Sequence, residues 1–511
     1  MTVTTLKIMT RFIHLATLIG LVSCGRLVTE CGGAPLNIER LQAIQSTQFQ
    51  SNSKAALVTP NPLDASGNVY LQALDSVVGS FTGAYFLPGL MNSNRLENNF
   101  LKIRISSISD SLDSLATPNS SGEFSFPISD IRYGQAMAYH SLSAIDSYVE
   151  ALGFQTDKTR PLYVMVKAEG STSNPAEVNA FYNHNIFESG PREIRIFGET
   201  QHSAWQDRDI YWHEFGHYVL ESVTGSRGVD LAGDLGASFT EGSAIHECFA
   251  DYGAESLSGR GYIGRWLARN FEGYAPGQPL RVAYDQSDEF QNFRSVVNFD
   301  PTGKNLDRYR LGEWCSRVLW DIRTQLVSEN QEEGRYYADR TILSAASLLK
   351  RNTSISDLKE ALLYADQELN CGIHSRSISA AFTSRGFPEE VSNLSKPLSF
   401  QGTVVGTNQS PTEDLRAFSV QFVLRNSNSQ TARNVRIAIE APNGGFSPYV
   451  AEQAYGDLGP GKTITVGGTG ALPLDYSVIG LVSKTVNLRG IKVLIRIKIE
   501  NGPESVNEVI L

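Results

Sequence analysis

The chain has 511 residues, a length at which a single hydrophobic core stops growing and two or three domains are expected. Hydrophobic residues make up 41% and charged ones 19%, a globular balance that excludes a disordered or fibrous chain. With 44 Lys+Arg against 54 Asp+Glu the formal net charge is -10, which argues against nucleic acid as the main partner.

Lys7 and Arg11 precede an apolar stretch, Phe12 to Val22, and no acidic residue occurs before Glu30. A basic start and a short apolar segment form the layout of a secretory signal. Its end, Leu21-Val22-Ser23-Cys24-Gly25, resembles a bacterial lipobox. That resemblance implies that Cys24 is lipidated and becomes the new N-terminus. Residues 1–24 are thus expected to be a lipoprotein signal peptide, and the folded part an exported protein anchored to a membrane by its lipid. No apolar run reaches the roughly 18–20 residues of a spanning helix. Export makes Cys31, Cys248, Cys315 and Cys371 candidate disulfide partners, although their spacing fixes no pairing.

Residues 25–61 are rich in Ser, Gln, Thr and Asn and read as a flexible tether. Alternating stretches at 68–74 and 100–105, with a turn-rich segment before 123–126, predict a small β unit over 62–127. Helical spacing runs from Tyr133 to Leu152 and closes at Gly153, followed by strands at 162–167 and 192–198. Long helical patterns cover about 209–224, 243–258, 309–328, 335–350, 355–369 and 375–385. Strands first and helices after is an α+β arrangement. Composition shifts again near Pro388 to Lys396, so one domain is expected over 128–392. Beyond it, about seven short alternating runs separated by turns suggest an immunoglobulin-like β-sandwich over 393–511.

The chemistry concentrates in Asp209-Ile210-Tyr211-Trp212-His213-Glu214-Phe215-Gly216-His217. Apolar residues here suit a buried helix, with Asp209 as N-cap. His213 and His217 then share one face, about 6 Å apart along the axis. Two imidazoles so placed can both reach one tetrahedral Zn²⁺. Glu214 is angled off that face, where a carboxylate can meet a water held by the metal. Thirty residues on, Glu247 and Asp251 lie at i and i+4 of a second helical stretch. Glu247 is the expected third ligand, and Asp251 the acceptor for the free ring N–H of His213. Glu241 and His246 compete for the third position. Glu241 has no acidic residue four positions on, however, and His246 is expected on a different face. Cys248 is expected to pack rather than bind metal. His140, His184, His202 and His374 read as structural or surface residues.

The pairing of His-Glu-x-x-His with Glu-x-x-x-Asp resembles the gluzincin metallopeptidases, specifically the thermolysin and fungalysin branch. Asn179-Ala180-Phe181-Tyr182-Asn183 is similar to the edge strand with which that family holds its substrate by strand addition. The stretches 138–154 and 311–321 resemble two further helices of the family, so the resemblance covers about 128–390. It implies a thermolysin/fungalysin-like domain, Zn²⁺ bound by His213, His217 and Glu247, and Glu214 as general base. Peptide or protein would be the substrate, aligned by Asn179 and Ala180. One position departs from the pattern: where the family has an oxyanion-binding histidine, this chain has Tyr309, between Arg308 and Arg310. Tyr309 or a neighbouring arginine would have to donate instead, since both are donors at neutral pH. The reading is therefore an extracytoplasmic zinc metalloendopeptidase. Its rival is a catalytically impaired, zinc-stabilised surface-binding protein or adhesin, motivated by Tyr309 and the C-terminal sandwich.

Overall fold

The computed structural model describes most of residues 36–510. Outside the described residues lie 1–35, 511, the stretches 46–52, 68–81, 107–114, 168–178, 184–191, 198–202, 225–240, 285–292, 297–307, 388–397, 409–414, 441–446, 467–477 and 484–491, and shorter breaks. The expected signal segment with Cys24, the strand at 68–74, His184 and His202 fall there.

The span expected to be a tether holds a helix, α1 (Ile38–Gln45), and a strand, β1 (Lys54–Leu57). Leu41 and Ile44 of α1 are buried against Tyr148, Leu152 and Tyr336. The polar composition of 25–61 is misleading because two apolar residues three apart suffice to seat a short helix on a neighbour. Next come α2 (Pro62–Ser66), β2 (Gly83–Phe86), β3 (Leu101–Arg104) and β4 (Glu123–Phe124). β1 pairs antiparallel with β2 and parallel with β4.

These strands do not form the separate β unit expected over 62–127. β3 instead pairs with β5 (Leu162–Met165) in a second sheet, which β6 (Ala180–Asn183) and β7 (Arg192–Ile196) complete in the order β3-β5-β7-β6. Both sheets share one core with helix α3 (Ile131–Ala151), where Leu57, Phe124 and Ile103 meet Tyr133, Ala136 and Met137. Strands of two to four residues have too little surface to bury a face of their own, so they join the larger core. Asp130 caps α3, its side chain accepting from Arg132 N.

The helical half follows the sequence pattern closely. α4 (Arg208–Thr224) and α5 (Glu241–Ser258) precede a small ribbon of β8 (Tyr262–Ile263) and β9 (Arg281–Val282). Then come α6 (Arg308–Asn330), α7 (Gly334–Leu348), α8 (Ile355–Asn370) and α9 (Ser375–Ser384). Leu220 of α4 joins a second core with Ile245, Trp314, Leu319, Ile342, Leu358 and Phe382 from the helices that follow.

The C-terminal part is built of two antiparallel sheets. One contains β10 (Ser399–Asn408), β11 (Leu415–Arg425), β13 (Ser447–Pro448), β15 (Thr463–Val466) and β16 (Val478–Ser483). The other is ordered β14-β12-β17-β18, from β12 (Arg436–Glu440), β14 (Gln453–Ala454), β17 (Lys492–Lys498) and β18 (Ser505–Ile510). Phe422, Leu424 and Val466 of the first sheet share a core with Ile437, Ile439, Val493, Ile495 and Ile497 of the second. In β17 alternate residues are buried, as its period-two pattern requires. The chain contains both helices and sheets, with the long helices concentrated after β7, a content compatible with the α+β class.

Candidate metal centre

The site is set by how closely three helices approach. His213, Glu214 and His217 lie on α4, and Glu247 and Asp251 on α5. A Cβ on Gly216 would lie 2.7 Å from Ala250 Cα, so only glycine lets α4 and α5 meet this tightly. Gly312 does the same for α6, where a Cβ would stand 2.6 Å from Glu247 Cβ. Cys248 and Cys315 form a disulfide between α5 and α6, Cα–Cα 5.4 Å, so Cys248 does more than the packing expected of it. Asp209, expected as N-cap, lies within the first turn of α4 and pairs with Arg260 Nη2 at 2.5 Å.

His213, His217 and Glu247 converge: one ligand atom from each lies within 4.8 Å of the others. His213 Nε2 is 3.5 Å from Glu247 Oε2, and its Nδ1 is 2.8 Å from Asp251 Oδ1, the acceptor the spacing predicts. His217 Nδ1 lies 3.3 Å from Nδ1 of His246. Two such nitrogens meet only if one carries the proton and the other the lone pair. In both metal-group histidines Nδ1 is thus engaged from outside, leaving Nε2 for an ion. His246 is not one of the three, yet from its own face of α5 it lies against His217 and lines the same cavity. The close crossing at Gly216 brings two adjoining faces of α5 up to α4, so neighbours about 100° apart on α5 both reach it.

Burial pushes the Glu247 carboxyl up, but His213, His217 and Arg281 outweigh it and hold it below the ordinary carboxylate range. Burial, joined by His213, His246 and Arg281 and opposed by the Glu247 charge, drives His217 well below an ordinary imidazole, which keeps its lone pair available. Glu214 is raised to about 7, chiefly by burial and then by the Glu247 charge. His213, Arg281 and the backbone amide of Tyr182 pull it back.

A cavity of about 350 Å³ opens beside these three side chains, and Glu214, Asn179 and Ala180 all line it. Asn179 directly precedes β6, the edge of its sheet, whose Tyr182 hydroxyl is 2.5 Å from Glu221 Oε2 on α4. Ile210, Ile263, Leu267 and Leu280 form an apolar wall. Tyr309, 46% exposed, and Arg308 also line the cavity, with Arg308 Nη2 donating to the Tyr309 hydroxyl at 2.7 Å.

The sequence reading missed Arg281. Its Nη1 donates to Asp251 Oδ1 at 2.5 Å and to Glu247 Oε2 at 3.3 Å. One arginine in a two-residue strand has no spacing that betrays it. His140 and His374 serve structure, His140 near the Phe86 carbonyl and His374 paired with Glu329. No family model and no curated protein sequence matches the chain.

Proposed function

We propose that the protein is a zinc-dependent metalloendopeptidase of the thermolysin/fungalysin type, exported and held at a membrane by a lipid on Cys24. The convergence of His213, His217 and Glu247 beside an open cavity carries the reading. Two imidazoles and one carboxylate leave a coordination position vacant, the donor set of catalytic zinc. Zn²⁺ bound there would lower the pKa of a water toward about 7 and polarise the scissile carbonyl.

The chain's own residues supply the rest. Asp251 and His246 hold the two imidazoles through Nδ1 and fix which nitrogen faces the ion. Glu214, buried on the cavity wall, accepts the attacking water's proton and passes it to the leaving amine. The β6 edge, with Asn179 and Ala180, aligns the peptide by strand addition. The Tyr309 hydroxyl and the Arg308 guanidinium offer donors to the carbonyl oxygen as it gains charge, in place of a histidine. The Cys248–Cys315 bond suits an oxidising compartment, in keeping with export. No helix among the described residues is long and apolar enough to cross a membrane. We assign the two-sheet C-terminal part to an immunoglobulin-like sandwich.

The rival reading, a surface-binding protein stabilised by zinc, needs a closed site with four protein ligands. Among the described residues three converge, and the fourth side opens on the cavity. The test is cleavage of casein and a mixed peptide library with and without a chelator. Chelator-sensitive cleavage restored by zinc supports the peptidase. Loss of folding on chelation with no cleavage at any stage supports the rival.

A further inference from the structure

Strand addition is only as accurate as the strand that receives the peptide, and β6 by itself is weakly held. It has four residues and stands at the end of its sheet, hydrogen-bonded to β7 alone among the described strands. So short an edge strand has few ladder bonds to fix its position. A side chain supplies what the ladder lacks. Successive residues of a strand face opposite ways. Phe181 turns to one face of the sheet, its ring 5.2 Å from that of Phe197, beside Met165. Tyr182 turns to the other, against the main core and α4.

Tyr182 meets α4 at three points. Its amide donates to Glu214, its ring lies edge-on to Tyr218 at 6.0 Å, and its hydroxyl donates to Glu221 Oε2 at 2.5 Å. Glu214, Tyr218 and Glu221 are four and three residues apart, one stripe along the helix that also carries His213 and His217. Glu221 is itself held from behind. The Nε of Arg192, a buried residue of β7, is 3.6 Å from Glu221 Oε1. Its Nη1 donates to the Asp157 carbonyl at 2.9 Å, and its Nη2 pairs with the Asp157 carboxylate. Glu221, only 4% exposed, thus has a partner on each of two neighbouring strands. Burial, then the Glu221 charge, holds the Tyr182 hydroxyl well above an ordinary phenol, so it stays a donor.

We infer that Tyr182 and Glu221 are positioning residues for peptide binding, their hydrogen bond fixing the β6 edge relative to the metal group. This rests on the peptidase reading, for which it names the device that aligns the substrate. Loss of the bond lets β6 shift on its few ladder bonds. The bound peptide is then less well aligned, while the zinc-binding side chains stay in place. A hydrogen bond to a charged group is worth about 10- to 100-fold in an equilibrium of this kind.

The test uses the zinc-loaded full chain and an octapeptide that the wild type cleaves. KM and kcat are measured for the wild type, Tyr182→Phe, Glu221→Gln and the double variant. Tyr182→Phe keeps the ring and removes the hydroxyl alone, whereas Glu221→Gln keeps an acceptor oxygen. The expected result is a KM about 10-fold higher in Tyr182→Phe and a smaller rise in Glu221→Gln. The double variant should be no worse than Tyr182→Phe, with kcat and zinc content near wild type throughout. A merely structural role would reduce the amount of active protein, lowering kcat and leaving KM where it was. An unchanged KM in Tyr182→Phe, a loss confined to kcat, or fully additive effects in the double variant overturns the inference. Tyr182→Phe decides alone if Glu221→Gln does not fold. In each of those cases cleavage by the wild type leaves the peptidase reading standing. A wild type that cleaves no peptide removes that reading and this inference with it.

Discussion

His246 and Asp251 occupy equivalent places, each holding the Nδ1 of one imidazole of the metal group. If that is their role, His246→Phe and Asp251→Asn should each weaken zinc binding by about 10–100-fold with little loss of fold. Competition against a chromophoric chelator measures this, and unchanged affinity in both variants would deny the arrangement. The residues of the metal group were readable from the sequence because helical spacing alone puts His213 beside His217 and Glu247 beside Asp251. His246 and Arg281 were not, because their places depend on how one element crosses another. An imidazole about 100° round α5 reaches α4 only when the two helices nearly touch. Arg281 arrives on a ribbon with no periodicity to read.

At the scale of elements, the helices needed only their apolar spacing to be legible, and α4 to α9 fall within a few residues of expectation. What spacing could not disclose is the depth of contact. Gly216 sits inside the His-Glu-x-x-His segment, and its missing side chain is what lets α5 bring Glu247 to the imidazoles. Gly216→Ala should force the helices apart, lowering stability by about 1–3 kcal/mol and zinc affinity with it. Gly253 on α5 is the control, since a Cβ there meets nothing within 4 Å. Gly253→Ala should leave zinc affinity intact and add up to about 1 kcal/mol of stability. Chemical denaturation and zinc titration on both variants separate the two cases. Equal effects would mean that the close approach does not govern the site.

Across the whole molecule the expected boundaries were weaker than the elements. Composition marked 25–61 as tether and 62–127 as a unit, yet α1 and β3 are held by partners far along the chain. The two-sheet part was legible because alternation survives wherever two sheets share a core. Its contact with the helices was not. Glu241, the first residue of α5, is buried there: Ile355 N donates to it at 2.8 Å, and Gly456 and Asp457 stand against it. Burial, then Asp457, raises its carboxyl from 4.5 to about 7 against the pull of the Ile355 amide, Arg436 and Arg433. The folded state thus holds a proton that the unfolded chain has lost between about pH 4.5 and 7. The associated stability is complete below 4.5 and lost as pH rises through 7, on the order of 3 kcal/mol. Urea unfolding at pH 5 and pH 8 should show this difference in the wild type and a smaller one in Glu241→Gln; an identical difference in both would exclude Glu241 as its source. The most direct test of the central claim pairs zinc content with peptide cleavage in the wild type and in Glu214→Gln. One zinc per chain in each protein, with cleavage about 10²–10⁴-fold slower in the variant, is the result this account predicts. Full cleavage by Glu214→Gln, or none by a zinc-loaded wild type, would contradict it.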